Sequence, residues 1–200
     1  RDDDTCTLAE YVRQEKLCKV LDPTLLQYEK WDGYAETVSA DSKYIVYYSY
    51  FSTPFLVREI CEFAKSNKLK IITPLFRRDW CDETLYLTPF HFLGLIRDAS
   101  YVVTNTFHGT IYSILFKKRF INFSTRHKTN DFTNEVGLGS SRLYTEEMGH
   151  SRFSDILASD IDYEFVFKTL HRESNDCVTG LIERRGKIVL TNSVLYKGKE

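Results

Sequence analysis

The sequence lacks the patterns that mark metal centres, disulfide scaffolds and membrane spans. Its five cysteines include no Cys-x-x-Cys pair, and this odd number favours neither a zinc knuckle nor a disulfide framework. Reduced thiols in a cytoplasmic protein are the simpler interpretation, and the histidines and carboxylates have no metal-ligand spacing. No apolar run approaches the roughly 20 residues of a membrane span, and no signal-peptide pattern opens the chain. We therefore expect a cytoplasmic protein with no metal and no membrane span.

An excess of basic residues is also missing. The chain has 27 Lys and Arg residues against 28 Asp and Glu residues, for a net charge of -1, so it presents no global basic field for nucleic acid. Any anion site must then be built locally. The 200 residues, of which 42% are hydrophobic, fit one domain able to bury about 70 per cent of its unfolded surface.

Four apolar segments rich in β-branched and aromatic residues predict buried strands. They are KYIVYYSY (43–50), LKIITPLF (69–76), YVVTN (101–105) and RFINFS (119–124). Between them, two segments open on Thr-Pro, at Thr53 and Thr88, with apolar residues at helical spacing, and a third helix is predicted from Gly109. Strands that alternate with helices in this way predict an α/β fold, a Rossmann-like parallel sheet with helices on both faces.

Polar residues follow most of these strands. In a parallel sheet, ligands bind at the edge where the carboxyl ends of the strands meet. The loop after the second strand carries Arg77 and Arg78, and the loop after the fourth carries Arg126 beside His127 and Lys128. Of these residues, Arg77, Arg78 and Arg126 are the candidate ligands for an anionic substrate.

The loop after the third strand, TNTFHGT, holds the strongest candidates. Gly109 would let the backbone approach a ligand closely, and the free amides of a helix start would form an anion site. Beside such an anion, His108 is favoured in its protonated form, which makes it the candidate general acid. The candidate binding residues of this segment are Thr104, Asn105, Thr106, Phe107, Gly109 and Thr110.

Structural roles compete with these functional ones. Thr104, Asn105 and Thr106 could cap the helix, and the two arginines of the second loop could belong to a solvated surface. A His-Gly pair before a helix is also often only a turn. Cys81 lies in a loop where it could be reactive, although the sequence shows no partner for it.

One long segment carries a resemblance to a known family. LTPFHFLGLIRDASYVVTNTFHGTIYSILFKKRFINF resembles the signature of the polysaccharide pyruvyl transferase family, in which a proline-initiated helix leads to a strand, a Ser/Thr-Phe-His-Gly-Thr turn and another helix. KVLDPTLLQYEKWDG resembles the linker before that family's second domain, and VGLGSSRL resembles its following Gly-Leu and Arg segment. The similarity covers about residues 1 to 172.

The resemblance implies a domain organisation and a reaction. The family is similar to two-domain glycosyltransferases of the B type, and this chain matches the C-terminal half. Residues 1–30 would then be the end of the N-terminal half and the linker, 31–155 the Rossmann-like domain and 156–200 a helical tail. The reaction would move pyruvate from phosphoenolpyruvate onto two sugar hydroxyls as a ketal, during surface polysaccharide biosynthesis. Loose attachment to the inner face of the membrane is left open, and the isolated domain is expected to be inactive.

The resemblance also implies roles and partners. His108, Gly109 and Thr110 belong to the family motif itself, whereas the arginines are inferred from topology. The expected partners are phosphoenolpyruvate, a saccharide acceptor and the N-terminal half of the protein, with no further cofactor. Whether His108 is an acid or a phosphate ligand stays open. Two other functions also stay open: a glycosyltransferase that uses a sugar nucleotide, and a noncatalytic binding domain of the same fold.

Overall fold

A computed structural model describes residues 17–19, 22–25, 28–40, 42–74, 76–172, 188–191 and 194–197. Most of the expected linker and the later part of the expected tail lie outside these residues. In the part of the chain that is described, no helix has the length and apolar character needed to cross a membrane.

The described chain is organised around a five-stranded parallel sheet. A short strand β1 (Leu17–Lys19) precedes it, and the sheet itself contains β2 (Tyr44–Tyr48), β3 (Lys70–Pro74), β4 (Glu83–Leu85), β5 (Tyr101–Thr104) and β6 (Arg119–Asn122). Their spatial order is β4-β3-β2-β5-β6, and all four pairings are parallel. Two late strands, β7 (Ile188–Thr191) and β8 (Val194–Lys197), join β1 in a separate antiparallel sheet.

Seven helices are described, together with four single turns of 3₁₀ helix. The helices are α1 (Trp31–Tyr34), α2 (Pro54–Ser66), α3 (Pro89–Asp98), α4 (Phe107–Leu115), α5 (His127–Glu135), α6 (Gly149–Ala158) and α7, which occupies residues 163–172. The 3₁₀ turns are Pro23–Leu25, Tyr28–Lys30, Gly139–Ser141 and Glu146–Met148. As predicted, Thr53 and Thr88 cap α2 and α3, each followed by proline in the first turn.

Alternate residues of the strands enter two separate cores, one on each face of the sheet. Val46 and Val102 pack in the core covered by α3, α4, α5 and α7. Their neighbours Ile45 and Val103 pack in the other core, covered by α2 and α6. Because successive side chains of a strand point to opposite faces, apolar strands of this kind require helices on both sides.

Two elements near the expected site were missed by the sequence reasoning. β4 has three residues, none of them buried, so no apolar run announces it. α5 has the sequence HKTNDFTNE, whose many polar residues are more typical of a loop than of a helix. The expected domain boundary after residue 155 falls inside α6, where Phe153 and Ile156 are both buried in one core.

The end of α2 gives a stability prediction. Lys68 has a φ of 53°, in the left-handed region that glycine adopts more easily than any other residue. We expect Lys68→Gly to raise the free energy of unfolding by about 0.5–1 kcal/mol. The matched control is Lys65→Gly, the same change inside the last turn of α2, which should lower stability by about 1 kcal/mol. Urea unfolding of both variants measures the difference, and a destabilised Lys68→Gly would contradict the expectation.

Candidate functional site

The candidate site lies at the carboxyl edge of the sheet, between β2 and β5. From β2 the sheet continues through β3 to β4, and from β5 it continues to β6 on the opposite side. The strand order therefore reverses between β2 and β5. In open α/β sheets, the loops diverge at such a point and leave a crevice where ligands bind.

The start of α4 is fixed in this crevice by threonine hydroxyls. Thr106 caps α4, since its hydroxyl accepts a hydrogen bond from the Gly109 amide at 2.9 Å. The Thr104 hydroxyl donates to the Tyr48 carbonyl at 2.7 Å and accepts from the Thr106 amide at 3.0 Å. These bonds join β2, β5 and the first turn of α4 into one unit.

Gly109 is required by this packing. A Cβ at Gly109 would lie 2.3 Å from Thr104 Oγ1 and 2.6 Å from Thr106 Oγ1, closer than carbon and oxygen can approach. Thr110 is fully buried, and its hydroxyl donates to the Thr106 carbonyl at 3.0 Å. Thr104, Thr106, Gly109 and Thr110 thus form a scaffold for the start of α4. Their direct contact with a substrate stays a prediction.

His108 is the exposed residue of the motif. Its imidazole lies against the rings of Phe107 and Tyr112, with centroid separations of 5.6 and 6.2 Å. The amides of Phe107 and His108 belong to the first turn of α4, where no intrahelical acceptor exists and the helix dipole is positive. An anion bound to these amides would therefore lie beside the imidazole.

α5 brings a further cation to this point. Lys128 Nζ lies 3.8 Å from the centroid of the Phe107 ring, which places an ammonium group at the start of α4. Arg126 and His127 are exposed at the same end of α5. The sequence indicates Lys128 as a member of this basic cluster, but only Arg126 of the cluster is among the predicted binding residues.

The two arginines after β3 lie in different environments. Arg77 is exposed and forms an ion pair with a neighbouring exposed carboxylate. Arg78 donates to the Ser52 hydroxyl at 3.3 Å and to the Ser49 carbonyl at 3.1 Å. Arg78 thus links the loop after β3 to the loop after β2, and its contacts are those of a positioning residue. That either arginine binds substrate stays a prediction.

Two buried amides at the carboxyl ends of β5 and β6 have unpaired polar atoms. Asn105 is 6% exposed, and among the described residues none donates to its Oδ1. Asn122 is fully buried, and within the same part of the chain its Nδ2 finds no acceptor, although its Oδ1 accepts from the Ser124 amide at 2.9 Å. An unpaired buried polar group costs about 1–3 kcal/mol, so such atoms at the carboxyl edge of the sheet favour a bound ligand or water.

Cys81 is half-buried and packs against the core covered by α2 and α6, which argues against a reactive thiol. Burial raises the pKa of Cys81 to about 12, so very little thiolate exists near neutral pH. We expect alkylation of Cys81 by iodoacetamide at pH 8.5 to be about a hundredfold slower in the native protein than in urea. Peptide mass spectrometry measures both rates, and equal rates would contradict this expectation.

The crevice therefore offers amide donors, an imidazole and cations, a set that suits an anion. Within the described ranges, no group of three or more His, Cys, Asp or Glu side chains is placed to hold a metal ion. The arrangement can bind a phosphate or carboxylate and place a proton donor beside it.

The sequence comparison agrees with the motif of this site. The model of the family described as polysaccharide pyruvyl transferase matches residues 1–127, which include β2, β3, β5 and the His108 turn. No curated protein sequence is significantly similar to this chain.

Solved structures share the fold. UDP-GlcNAc 2-epimerase from Methanocaldococcus jannaschii is 13% identical with a TM-score of 0.58, over 92% of this chain and 60% of that chain. The S. aureus MnaA-UDP co-structure is 10% identical with a TM-score of 0.52, over 88% and 55% of the two chains. The spinosyn rhamnosyltransferase SpnG is 8% identical with a TM-score of 0.45, over 76% and 46%, and this score is too low to support an argument. The chain thus spans about 60% of the epimerase, and the predicted fold class is confirmed.

Proposed function

The chain belongs to the polysaccharide pyruvyl transferase family, and from this premise we propose that it forms the donor-binding half of an enzyme that uses phosphoenolpyruvate. The enzyme would move pyruvate onto two hydroxyls of a saccharide, forming a cyclic ketal and releasing phosphate. The acceptor and an N-terminal half of the same protein are the proposed partners. The proposed location is the cytoplasm, where nascent surface polysaccharide would be reached at the inner face of the membrane.

One observation carries the proposal: an exposed imidazole and a helix start meet at the point where the strand order reverses. Phosphoenolpyruvate has a phosphate and a carboxylate, and it needs a proton on its methylene carbon. The amides of Phe107 and His108 suit one anionic group, and Lys128 above the Phe107 ring suits the same group or the other. The imidazole of His108 then lies beside the bound donor.

The proposed chemistry balances without a redox cofactor. A proton added to C3 of phosphoenolpyruvate leaves an oxocarbenium-like centre at C2, which the first sugar hydroxyl attacks with loss of its own proton. The C2–O bond to phosphate then breaks, and the second hydroxyl adds to C2 to close the ketal, giving its proton to the released phosphate. The enol phosphate and the ketal are at the same oxidation level, so no oxidant or reductant is needed.

His108 fits two roles in this scheme. As a general acid it would deliver the proton to C3, and as an imidazolium it would bind the phosphate and stabilise its departure. Both roles require the imidazole to lie next to the anion site. Thr104, Thr106, Gly109 and Thr110 would support either role by fixing the first turn of α4.

The experiment that tests this function follows phosphate release. The full-length protein would be incubated with phosphoenolpyruvate and a pool of oligosaccharides, and ³¹P NMR and mass spectrometry would follow free phosphate and the ketal adduct. We expect both products to appear in equal amounts and only when the saccharide is present. Saccharide-independent phosphate release, or a sugar adduct formed from a sugar nucleotide instead, would contradict the proposal.

A glycosyltransferase that uses a sugar nucleotide is the second candidate. The observation that favours it is the fold, since another structure of the M. jannaschii epimerase is described in complex with UDP-GlcNAc and UDP. In this case the start of α4 would bind a diphosphate instead. A uridine or guanosine diphosphate that binds in competition with phosphoenolpyruvate, and more tightly, would favour this candidate.

A further inference from the structure

We propose that the exposed rings of Tyr50 and Phe76 form an aromatic platform on which a pyranose ring of the saccharide substrate stacks. The identity of that saccharide as the pyruvyl acceptor rests on the proposed function. The platform itself rests on the geometry of the loops after β2 and β3.

The two rings lie side by side at the carboxyl edge of the sheet. Tyr50 follows β2 and Phe76 follows β3, the neighbouring strand. Their centroids are 6.2 Å apart with the planes inclined at 59°, and the residues are 58% and 47% exposed. Paired large rings left this exposed at a ligand-binding edge are typical of a contact surface.

The platform is held in place before any ligand arrives. The Phe51 carbonyl, next to Tyr50, accepts from the Tyr47 hydroxyl at 2.5 Å and from the Ser49 hydroxyl at 2.6 Å. On the other side of Tyr50, the Ser49 carbonyl accepts from Arg78 at 3.1 Å. The residues on both sides of Tyr50 are therefore fixed, and Arg78 fixes them relative to the loop that carries Phe76. Because these loops are already ordered, they lose little conformational entropy when a sugar ring binds, and the ring binds more tightly.

The platform is connected to the donor site through neighbouring phenols. The rings of Tyr48 and Tyr112 both lie against the Phe92 ring, at centroid separations of 4.8 and 6.0 Å. Burial, with smaller contributions from the hydroxyls of Tyr50 and Tyr112, raises the pKa of Tyr48 to about 12. Tyr112 in turn lies against the ring of His108. Tyr50, two residues after Tyr48, therefore lies near the same crevice as His108, on the side of the loop after β2.

The chemistry around the rings favours a saccharide over a protein surface. One face of a pyranose presents C–H groups that pack on an aromatic ring, and its edge presents hydroxyls that need polar partners. The platform offers ring faces and polar partners together. The polar partners in the same two loops are the Tyr50 hydroxyl, the Ser52 hydroxyl and the exposed guanidinium of Arg77. A protein partner would require a larger continuous apolar patch than this pair of rings provides.

The test is a binding experiment that needs no phosphoenolpyruvate. Saturation-transfer NMR would measure binding of the methyl glycosides of glucose, galactose and mannose to the full-length protein. The double variant Tyr50→Ala/Phe76→Ala should bind about tenfold more weakly. Phe76→Trp, which keeps a ring at that position, should retain binding. The matched control Phe165→Ala removes a ring that is 54% exposed on α7, and it should leave binding unchanged.

The outcomes separate the platform from the proposed function. Loss of glycoside binding in the double variant supports the platform even if the protein never consumes phosphoenolpyruvate. Wild-type protein that binds none of the glycosides, or a double variant that binds them equally well, would overturn it. A double variant that keeps glycoside binding but changes its association state on a sizing column would show that the rings cover a protein interface instead, and this too would overturn the platform.

Discussion

Replacing His108 with asparagine is expected to lower kcat/KM for phosphoenolpyruvate in the full-length protein by about 10²–10⁴-fold. The imidazole is the exposed group beside the two amides that suit the donor's anion. Stability should change by no more than about 0.5 kcal/mol, because an exposed side chain with only ring contacts contributes little. Steady-state kinetics and urea unfolding measure the two quantities separately.

A matched control and a second variant sharpen this prediction. His171→Asn makes the same change at an exposed position on α7 and should leave kcat/KM unchanged. His108→Lys keeps a cation, so it should preserve the KM for phosphoenolpyruvate if His108 binds phosphate, while kcat falls if His108 is the acid. Full activity of His108→Asn would exclude both roles.

Replacing Arg142 with methionine is expected to lower the free energy of unfolding by about 3 kcal/mol. Arg142 is buried, and its guanidinium donates to the Ile156 carbonyl at 2.6 Å, the Ser159 hydroxyl at 2.8 Å and the Asp160 carbonyl at 3.1 Å. These acceptors lie at the end of α6, where the last carbonyls have no intrahelical donors. Methionine has a similar shape but donates no hydrogen bond to any of these acceptors, of which Ile156 is buried.

The control for Arg142 is on α6, the helix whose end Arg142 contacts. Arg152 lies on α6 and is exposed, so Arg152→Met should change stability by no more than about 0.5 kcal/mol. The stability of Arg142→Lys should lie between those of Arg142→Met and Arg152→Met, because one ammonium cannot replace a planar guanidinium that donates to several acceptors. Equal urea midpoints for Arg142→Met and wild type would show that the buried guanidinium contributes no net stability.

The strand-helix alternation and the site edge were predictable from the sequence because their signals are local. Apolar strands such as Tyr44–Tyr48 have one physical solution, a sheet covered on both faces. The Thr-Pro helix starts at Thr53 and Thr88 are equally direct, since the hydroxyl and the fixed proline φ both act within one turn. The loop that carries His108 was predictable from the same alternation of strands and helices, and the family motif lies in that loop.

The roles of individual residues were harder to predict, because they depend on contacts between distant segments. Gly109 suggested close approach of a ligand, but the atoms that its missing Cβ would meet are hydroxyls of Thr104 and Thr106. Arg78 suggested a substrate ligand, yet it bonds to a loop 26 to 29 residues earlier. Lys128 reaches the Phe107 ring only because a polar segment folds as α5. None of these contacts leaves a periodic pattern in the sequence.

The most direct test of the central claim is a thermal-shift titration of the full-length protein with phosphoenolpyruvate, compared with uridine and guanosine diphosphates, in wild type and His108→Asn. A ligand at 100 times its dissociation constant should add about 2.7 kcal/mol of stability. The account predicts stabilisation by phosphoenolpyruvate that is weakened or lost in His108→Asn and kept in His171→Asn. Stabilisation by a nucleotide diphosphate alone would contradict it and would favour a glycosyltransferase.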